Sequence, residues 1–259
     1  MKILVTNDDG ILAGGLWTLV KELKNIAEVI VVAPDRERSA IGTGVTLRQP
    51  LRVQKVKPTV PGVKTYAVGG TPADSVILAL GNLVKGKVDI VISGINQGLN
   101  LGDDVHISGT VGAALQGYLH GFPALAISTA RDNSLHMDIS AKLAALLATR
   151  ITSDSLKSKV FLNVNLPNLP LEEISGAQIT RLASESHINT VEEGDDDTGK
   201  YYQLIRKRLS KITDKKTDTW AIEQGNISIT PLYINLTKEP LSPTLDNLCA
   251  DLLQELQKY

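Results

Sequence analysis

The sequence predicts an α/β fold, a mostly parallel sheet flanked by helices, followed by a β-rich arm and a terminal helix suited to oligomer contacts. Three observations carry this. Up to about Ser128, short β-branched apolar runs alternate with segments of helical spacing, the signature of right-handed strand–helix–strand crossovers. After about Pro167, Ile179–Leu182, Tyr201–Leu209 and Ile227–Leu236 read as strands with no helix between them. The last segment, Thr244–Gln257, carries Leu245, Leu248, Cys249, Leu252, Leu253 and Leu256 on one side of an amphipathic helix.

In chain order, Ile3–Thr6 is a buried strand and Leu16–Ala27 a helix with Leu16, Leu19, Val20, Leu23 and Ile26 at helical spacing. Glu28–Ala33 is a second core strand, stopped by Pro34. Pro72–Leu83 opens on a proline, as helices tolerate. Val88–Ser93 is a third core strand, Val111–His120 a short helix and Ala124–Ser128 a strand. The alanine/leucine-rich Ala141–Ile151 is a helix, followed by strand Val160–Val164. The acidic run Glu192–Asp197 lacks the spaced ligands of a calcium loop and reads as a solvated hairpin or loop. The organisation expected is an α/β core over residues 1–183. Residues 184–259 would form the arm: a β-hairpin, a returning strand and the C-terminal helix.

The 259 residues suffice for a large core, and 42% hydrophobic with 21% charged residues is ordinary for a globular protein. With 27 basic against 28 acidic residues the net charge is −1. That balance supplies no extended field for nucleic-acid polymers or anionic membranes. An anionic substrate must therefore be held locally, by a metal, a helix N-terminus or a few donors. Cys249 is the only cysteine, so no intrachain disulfide can form. The N-terminal apolar run is too short for a signal peptide, and no run approaches a membrane span. A cytoplasmic protein is expected.

The chemistry lies where the early strands end. The first runs into Asn7-Asp8-Asp9-Gly10, the second into Asp35-Arg36-Glu37-Arg38-Ser39, and the third into Ser93-Gly94-Ile95-Asn96. In a parallel sheet these loops share one edge, where ligands bind. Two adjacent carboxylates repel each other and lose hydration there, so a positive charge is needed. A divalent cation on Asp8 and Asp9, with Ser39 and Asn96 as neutral oxygen donors, answers that need. Oxygen-only ligation suits Mg²⁺ or Mn²⁺ rather than zinc. The bland alternative remains open: Asp8 and Asp9 as a cap and a turn residue, Ser39 and Asn96 as turn residues.

A second device is the Asn100–Thr110 segment, within the glycine-dense stretch from Gly94 to Gly112, whose Ser108-Gly109-Thr110 enters a helix. Free N–H groups at a helix N-terminus favour an anion, although a plain cap is the commoner use of such residues. Gly69-Gly70-Thr71-Pro72-Ala73-Asp74 is a similar entry, with Asp74 in the first turn. The histidines 106, 120, 136 and 187 have no zinc spacing; only His106 lies near the anion loop, and substrate contact is its less expected role. No Gly-x-Ser-x-Gly elbow, P-loop or Gly-x-Gly-x-x-Gly fingerprint is present.

Five motifs then occur in one order: Asn7-Asp8-Asp9-Gly10; Ala33-Pro34-Asp35-Arg36 with Ser39; Gly70-Thr71-Pro72-Ala73-Asp74; Ser93-Gly94-Ile95-Asn96 with Gly98, Asn100 and Gly102; and Ser108-Gly109-Thr110-Val111. Together with Asn163-Val164-Asn165-Leu166-Pro167, Thr217-Asp218 and Ser228-Ile229-Thr230-Pro231-Leu232, they resemble the survival protein SurE family of metal-dependent nucleotidases over nearly the whole chain. The resemblance implies a Rossmann-like domain, a C-terminal arm exchanged between subunits, and dimers or tetramers. It also implies hydrolysis of nucleoside 5′- and 3′-monophosphates and trimming of short polyphosphate. It assigns the metal, Mg²⁺ or Mn²⁺, to Asp8, Asp9, Ser39 and Asn96, and the phosphate site to Asn100 and to Ser108, Gly109 and Thr110. Two departures are visible: Ile107 where many members carry tyrosine, which bears on base or sugar preference, and Ser75 where several carry cysteine.

The mechanism expected is metal-assisted phosphomonoester hydrolysis, with Asp8 and Asp9 chiefly ligands and one of them orienting or deprotonating the attacking water. An aspartyl-phosphate phosphatase is a rival, but it usually presents a spaced Asp-x-Asp pair. A non-catalytic nucleotide sensor using the same crevice is the alternative from another class.

Overall fold

The computed structural model describes residues 1–131, 136–153, 159–184, 187–208, 214–235 and 252. The elements run in the order β1 (Lys2–Thr6), α1 (Gly14–Leu23), β2 (Glu28–Pro34), β3 (Val53–Lys55), β4 (Lys64–Val68), α2 (Pro72–Leu78), β5 (Ile90–Gln97), α3 (Gly109–Leu119), β6 (Ala124–Thr129), α4 (Met137–Thr152), β7 (Phe161–Leu166), β8 (Gly176–Ile179), β9 (His187–Asp196), β10 (Gly199–Arg208), α5 (Asp218–Glu223) and β11 (Asn226–Pro231). Among the described residues the main sheet has nine strands in the order β3-β4-β2-β1-β5-β6-β7-β11-β8. From β4 to β7 every neighbouring pair is parallel, while β3 and β11 join antiparallel. This is the α/β class the sequence predicts.

Alternation along β1 shows how the sheet buries both faces. Ile3 and Val5 join a core with Leu16, Leu19, Val20 and Leu23 of α1 and Ala141, Ala144 and Ala148 of α4. Leu4 points into the opposite core with Ile30, Val32, Val76 and Ala113, beneath α2 and α3. A strand covered on both sides has to be apolar at every position, hence the unbroken Ile3-Leu4-Val5 run. Each fully buried aliphatic side chain contributes roughly 1.5–3 kcal/mol relative to exposure.

The chain goes from β1 to β2 on one side and later to β5 on the other. The end of β1 is therefore the topological switch point, where a crevice opens between diverging loops. That is where Asn7, Asp8 and Asp9 sit.

Several elements differ from the sequence reading. Between Pro34 and Pro72, where the pattern assigned no element, β3 and β4 extend the sheet. β4 is legible afterwards, since Thr65 and Ala67 are buried and alternate with Lys64 and Tyr66. The helix expected over Pro72–Leu83 is α-helical only to Leu78 and closes in a π-helical turn over Ala79–Leu83. α1 ends at Leu23, four residues early, and α4 begins at Met137, four residues before Ala141. β5 continues through Ser93 to Gln97 with a register shift between Ser93 and Asn96. Gly94 permits this: its φ is +140°, and a Cβ there would lie 2.4 Å from the Ile127 carbonyl oxygen. β8 lies before the expected Ile179–Leu182 strand and shares only Ile179 with it.

β9 and β10 form a separate two-stranded hairpin that contains the acidic run from Glu192. Asp196 takes hydrogen bonds from the backbone and hydroxyl of Thr198 in its turn, which hold its carboxyl below the usual range. β11 then returns to pair with β7, Ile229 opposite Val164. The expected helix Thr244–Gln257, with Cys249, lies outside the described residues apart from Leu252. Among the described residues no helix is long and apolar enough to cross a membrane.

Candidate active site

At the switch point a polar cavity of about 210 Å³ is lined by Asp8, Asp9, Glu37, Ser39, Ala40, Asn96, Gln97, Leu99, Asn100, Asp104, Ile107, Ser108 and Arg131. Asp8, Asp9, Ser39, Asn96, Asn100 and Ser108 thus face one space. Gly109 and Thr110 do not line it; they press on Asp8. Thr110 donates its hydroxyl to Asp8 Oδ1 at 2.5 Å. A Cβ added to Gly109 would stand 2.8 Å from Asp8 Cβ and 3.0 Å from Oδ2. Glycine is thus needed where α3 meets the carboxylate.

The loop after β2 closes the second wall. The Arg38 N–H donates to the Asp8 carbonyl at 2.7 Å, tying that loop to the end of β1. The Ser39 hydroxyl donates to Glu37 Oε1 at 2.7 Å, leaving its oxygen lone pairs for a ligand. Asn96 Nδ2 donates to the Gly98 carbonyl at 2.7 Å, so its amide oxygen is the free end.

Asn100 is fixed by groups the sequence reading did not connect. Its N–H donates to Asn165 Oδ1 at 2.8 Å, and its carbonyl accepts from Asn163 Nδ2 at 2.8 Å and Asn165 Nδ2 at 3.1 Å. Its side-chain amide donates to the Ser128 hydroxyl at 2.8 Å. Buried asparagines on β7 therefore hold a loop residue, a buried polar network in which each amide orients the next.

The helix entry divides its groups. The Ser108 hydroxyl accepts from the Val111 N–H at 3.1 Å, capping α3, and its own N–H goes to the Asp104 carbonyl. The cap reading of this triplet holds at Ser108, which also forms part of the cavity wall. The Gly70 to Asp74 entry is a capping box in which Thr71 and Asp74 satisfy each other's backbone N–H. Asp74 also receives the Thr46 N–H at 2.9 Å and hydroxyl at 2.7 Å, which makes it structural. His106 lines a neighbouring apolar cavity instead of this one.

Electrostatics give the clearest test of a metal. Burial pushes the Asp8 carboxyl above the usual carboxylate range, against the pull of the Thr110 hydrogen bond. Asp9 is pushed up to about 6, first by burial and then by the Asp8 charge, with Glu37 adding and Arg131 opposing. Two carboxylates that resist ionising at one site are short of positive charge, which a divalent cation supplies. Among the described residues no three His, Cys, Asp or Glu side chains gather around a common point. Asp8 and Asp9 with the Ser39 hydroxyl and the Asn96 amide offer two carboxylates and two neutral oxygens, a set that fits a hard cation keeping several waters.

Sequence reasoning missed Arg131, among the described residues the only cationic side chain of the cavity wall. It follows β6 by two residues, so the same rule about strand ends was its signal. Glu37 and Gln97 were passed over for the same reason, each lying beside a residue already singled out.

The model of the family described as survival protein SurE matches residues 3–189. A protein named 5′-nucleotidase SurE from Dehalococcoides mccartyi (strain CBDB1) is 53% identical over 255 residues, 98% of this chain and 96% of that protein. One of the same name from Legionella pneumophila (strain Lens) is 43% identical over 256 residues, 98% of this chain and all of that one. The crystal structure of the SurE protein from Aquifex aeolicus superposes with a TM-score of 0.82 at 33% identity, over 96% of this chain and 99% of that chain. Matched along its length in sequence and in fold, the chain belongs to the survival protein SurE family.

Proposed function

We propose that the protein is a divalent-cation-dependent phosphomonoesterase. It hydrolyses nucleoside 5′- and 3′-monophosphates to nucleoside and phosphate, and trims short polyphosphate by the same chemistry. The observation that carries this reading is the pair of carboxylates, Asp8 and Asp9, both held above the usual carboxylate range, with Asp8 directly against the N-terminus of α3. Carboxylates repel phosphate unless a cation intervenes, and a helix N-terminus favours it. The relatives named 5′-nucleotidase support the same substrate class.

Asp8, Asp9, Ser39 and Asn96 would hold one Mg²⁺ or Mn²⁺ per subunit. When bound, that ion offsets charge on the transferring phosphoryl group and lowers the pKa of the attacking water. Thr110 keeps Asp8 in one orientation. Asp9, less buried than Asp8, is the carboxylate able to orient the water and take its proton. The Ser108 hydroxyl hydrogen donates to a phosphate oxygen, preorganised by the helix entry. Asn100, clamped by Asn163 and Asn165, contacts the phosphate, and Arg131 adds positive charge. Ile107 meets the nucleoside, so it bears on base and sugar preference. The hairpin arm and the C-terminal segment serve self-association as a homodimer or homotetramer. A cytoplasmic location, with no nucleic-acid polymer or membrane as partner, completes the reading.

The test is phosphate release from a panel of nucleoside 5′- and 3′-monophosphates and short polyphosphate with Mg²⁺, Mn²⁺ or EDTA. Metal-dependent release that EDTA abolishes is expected. No release by folded, metal-supplied protein overturns the reading and leaves a nucleotide sensor.

A further inference from the structure

A second polar cavity, of about 310 Å³, lies on the same edge of the sheet beyond β2 and β4. Its wall is made by Asp35, Arg36 and Arg38 of the loop after β2, by Arg52 and Gln54 at β3, and by Gly69 after β4. The backbone sets these together: the Asp35 N–H donates to the Val68 carbonyl at 2.8 Å, and the Gly69 N–H to the Arg52 carbonyl at 2.9 Å.

Three arginines thus line one cavity with a single aspartate in a chain whose net charge is −1. The one carboxylate does little to balance them. Asp35 lies 3.8 Å from Arg38 Nη2, a long and partly exposed pair of little strength. Among the described residues Arg36 and Arg52 have no ion-pair partner. Arg38 Nε is buried and has no hydrogen-bond partner. An unpartnered buried donor is costly, and gathered like charges repel. An anion with several acceptor oxygens offsets the gathered positive charge, and guanidinium forks match phosphate geometry.

We propose that this cavity is a second anion site, separate from the catalytic cavity, that takes a phosphate group through Arg36, Arg38 and Arg52. The group comes either from free inorganic phosphate or from a longer phosphorylated molecule, whose other atoms the remaining volume admits. Occupancy bears on the catalytic cavity through the shared loop, because Arg36 and Arg38 alternate with Glu37 and Ser39, which line the other side.

The experiment is calorimetric titration of the full chain in EDTA with inorganic phosphate, pyrophosphate or, as a control, adenosine. Removing divalent cations leaves Asp8 and Asp9 to repel phosphate, so catalytic-site binding is suppressed and failure of the catalytic reading does not affect the result. Saturable phosphate binding is expected, weakened at least about tenfold by Arg52→Gln and likewise by Arg36→Gln, with no adenosine binding. Tighter binding of pyrophosphate than of phosphate identifies the longer molecule as the source, and equal binding identifies the free ion. Both side chains are exposed, so their variants should melt like the parent. No saturable binding overturns the proposal. So does binding that survives both substitutions, or that Arg131→Gln weakens while Arg52→Gln does not.

Discussion

The Thr110 hydroxyl donates to Oδ1 of Asp8, joining residues 102 positions apart. It couples the end of β1 to the first turn of α3, and so couples the expected metal site to the expected phosphate site. A group that orients a ligand tunes the ligand's affinity without touching the ion. Thr110→Val keeps the shape and removes the bond. Activity with Mn²⁺ should fall roughly tenfold to a hundredfold, with weaker metal affinity, and Thr110→Ser should restore most of it. Gly109→Ala, which must displace Asp8, should cost more. Steady-state rates across a Mn²⁺ titration check both.

Asp9 makes the stability of the metal-free protein pH-dependent. Its folded pKa of about 6 lies above the ordinary 3.8. Between those values the folded state keeps a proton that the unfolded state has lost. The stabilisation from this group is therefore complete below 3.8 and is lost as pH rises through about 6. In EDTA near neutral pH, Asp9→Asn should melt above the parent, and the gain should disappear in acid. Added Mn²⁺ should raise the parent's Tm and the variant's much less. Phosphatase activity of the variant should fall by about a hundredfold or more. Calorimetric scans over pH, with and without metal, decide.

Asp218, fully buried at the start of α5, accepts the N–H of Gly102 at 2.7 Å, of Ala183 at 3.0 Å and of Thr219 at 2.8 Å. Burial nevertheless pushes its carboxyl above the usual range. It pins the glycine-rich loop to the base of the arm. Asp218→Ala leaves these donors without a partner and should destabilise the fold by about 3 kcal/mol or more, read from urea unfolding.

Arg206 holds the hairpin to the same loop, its Nε at 2.9 Å from Asp104 and its Nη2 at 2.8 Å from Asp103. The pair is partly exposed, so Arg206→Ala should change global stability by less than about 1 kcal/mol. Locally the effect should be larger. Amide exchange over His187–Arg208 should quicken in the variant, and in the parent at high salt, where the attraction is screened. Exchange unchanged in both cases would mean that the hairpin is held by other contacts.

How legible each part was depends on whether its cause is local. The Ile3-Leu4-Val5 run, the Pro34 stop and the Pro72 helix start with Asp74 in its first turn depend on neighbours in sequence, so their elements could be read directly. β3 and β4 could not, because Val53–Lys55 is too short to show a period and becomes a strand only by pairing with Lys64–Val68. The split of the second helix at Leu78 and the extension of β5 past Gly94 are equally products of packing, the latter against Ile127.

The amino-acid sequence alone determined the α/β class and the polar strand ends, because apolar periodicity and turn chemistry are properties of short segments. Only the tertiary structure decided the rest. Asp8 meets Thr110, Asn100 rests on Asn163 and Asn165, and Arg36 and Arg38 face Arg52 across a second cavity. These contacts join residues far apart in the chain. Such pairings exist only once strand order is set, and strand order is fixed by burying both faces of one sheet.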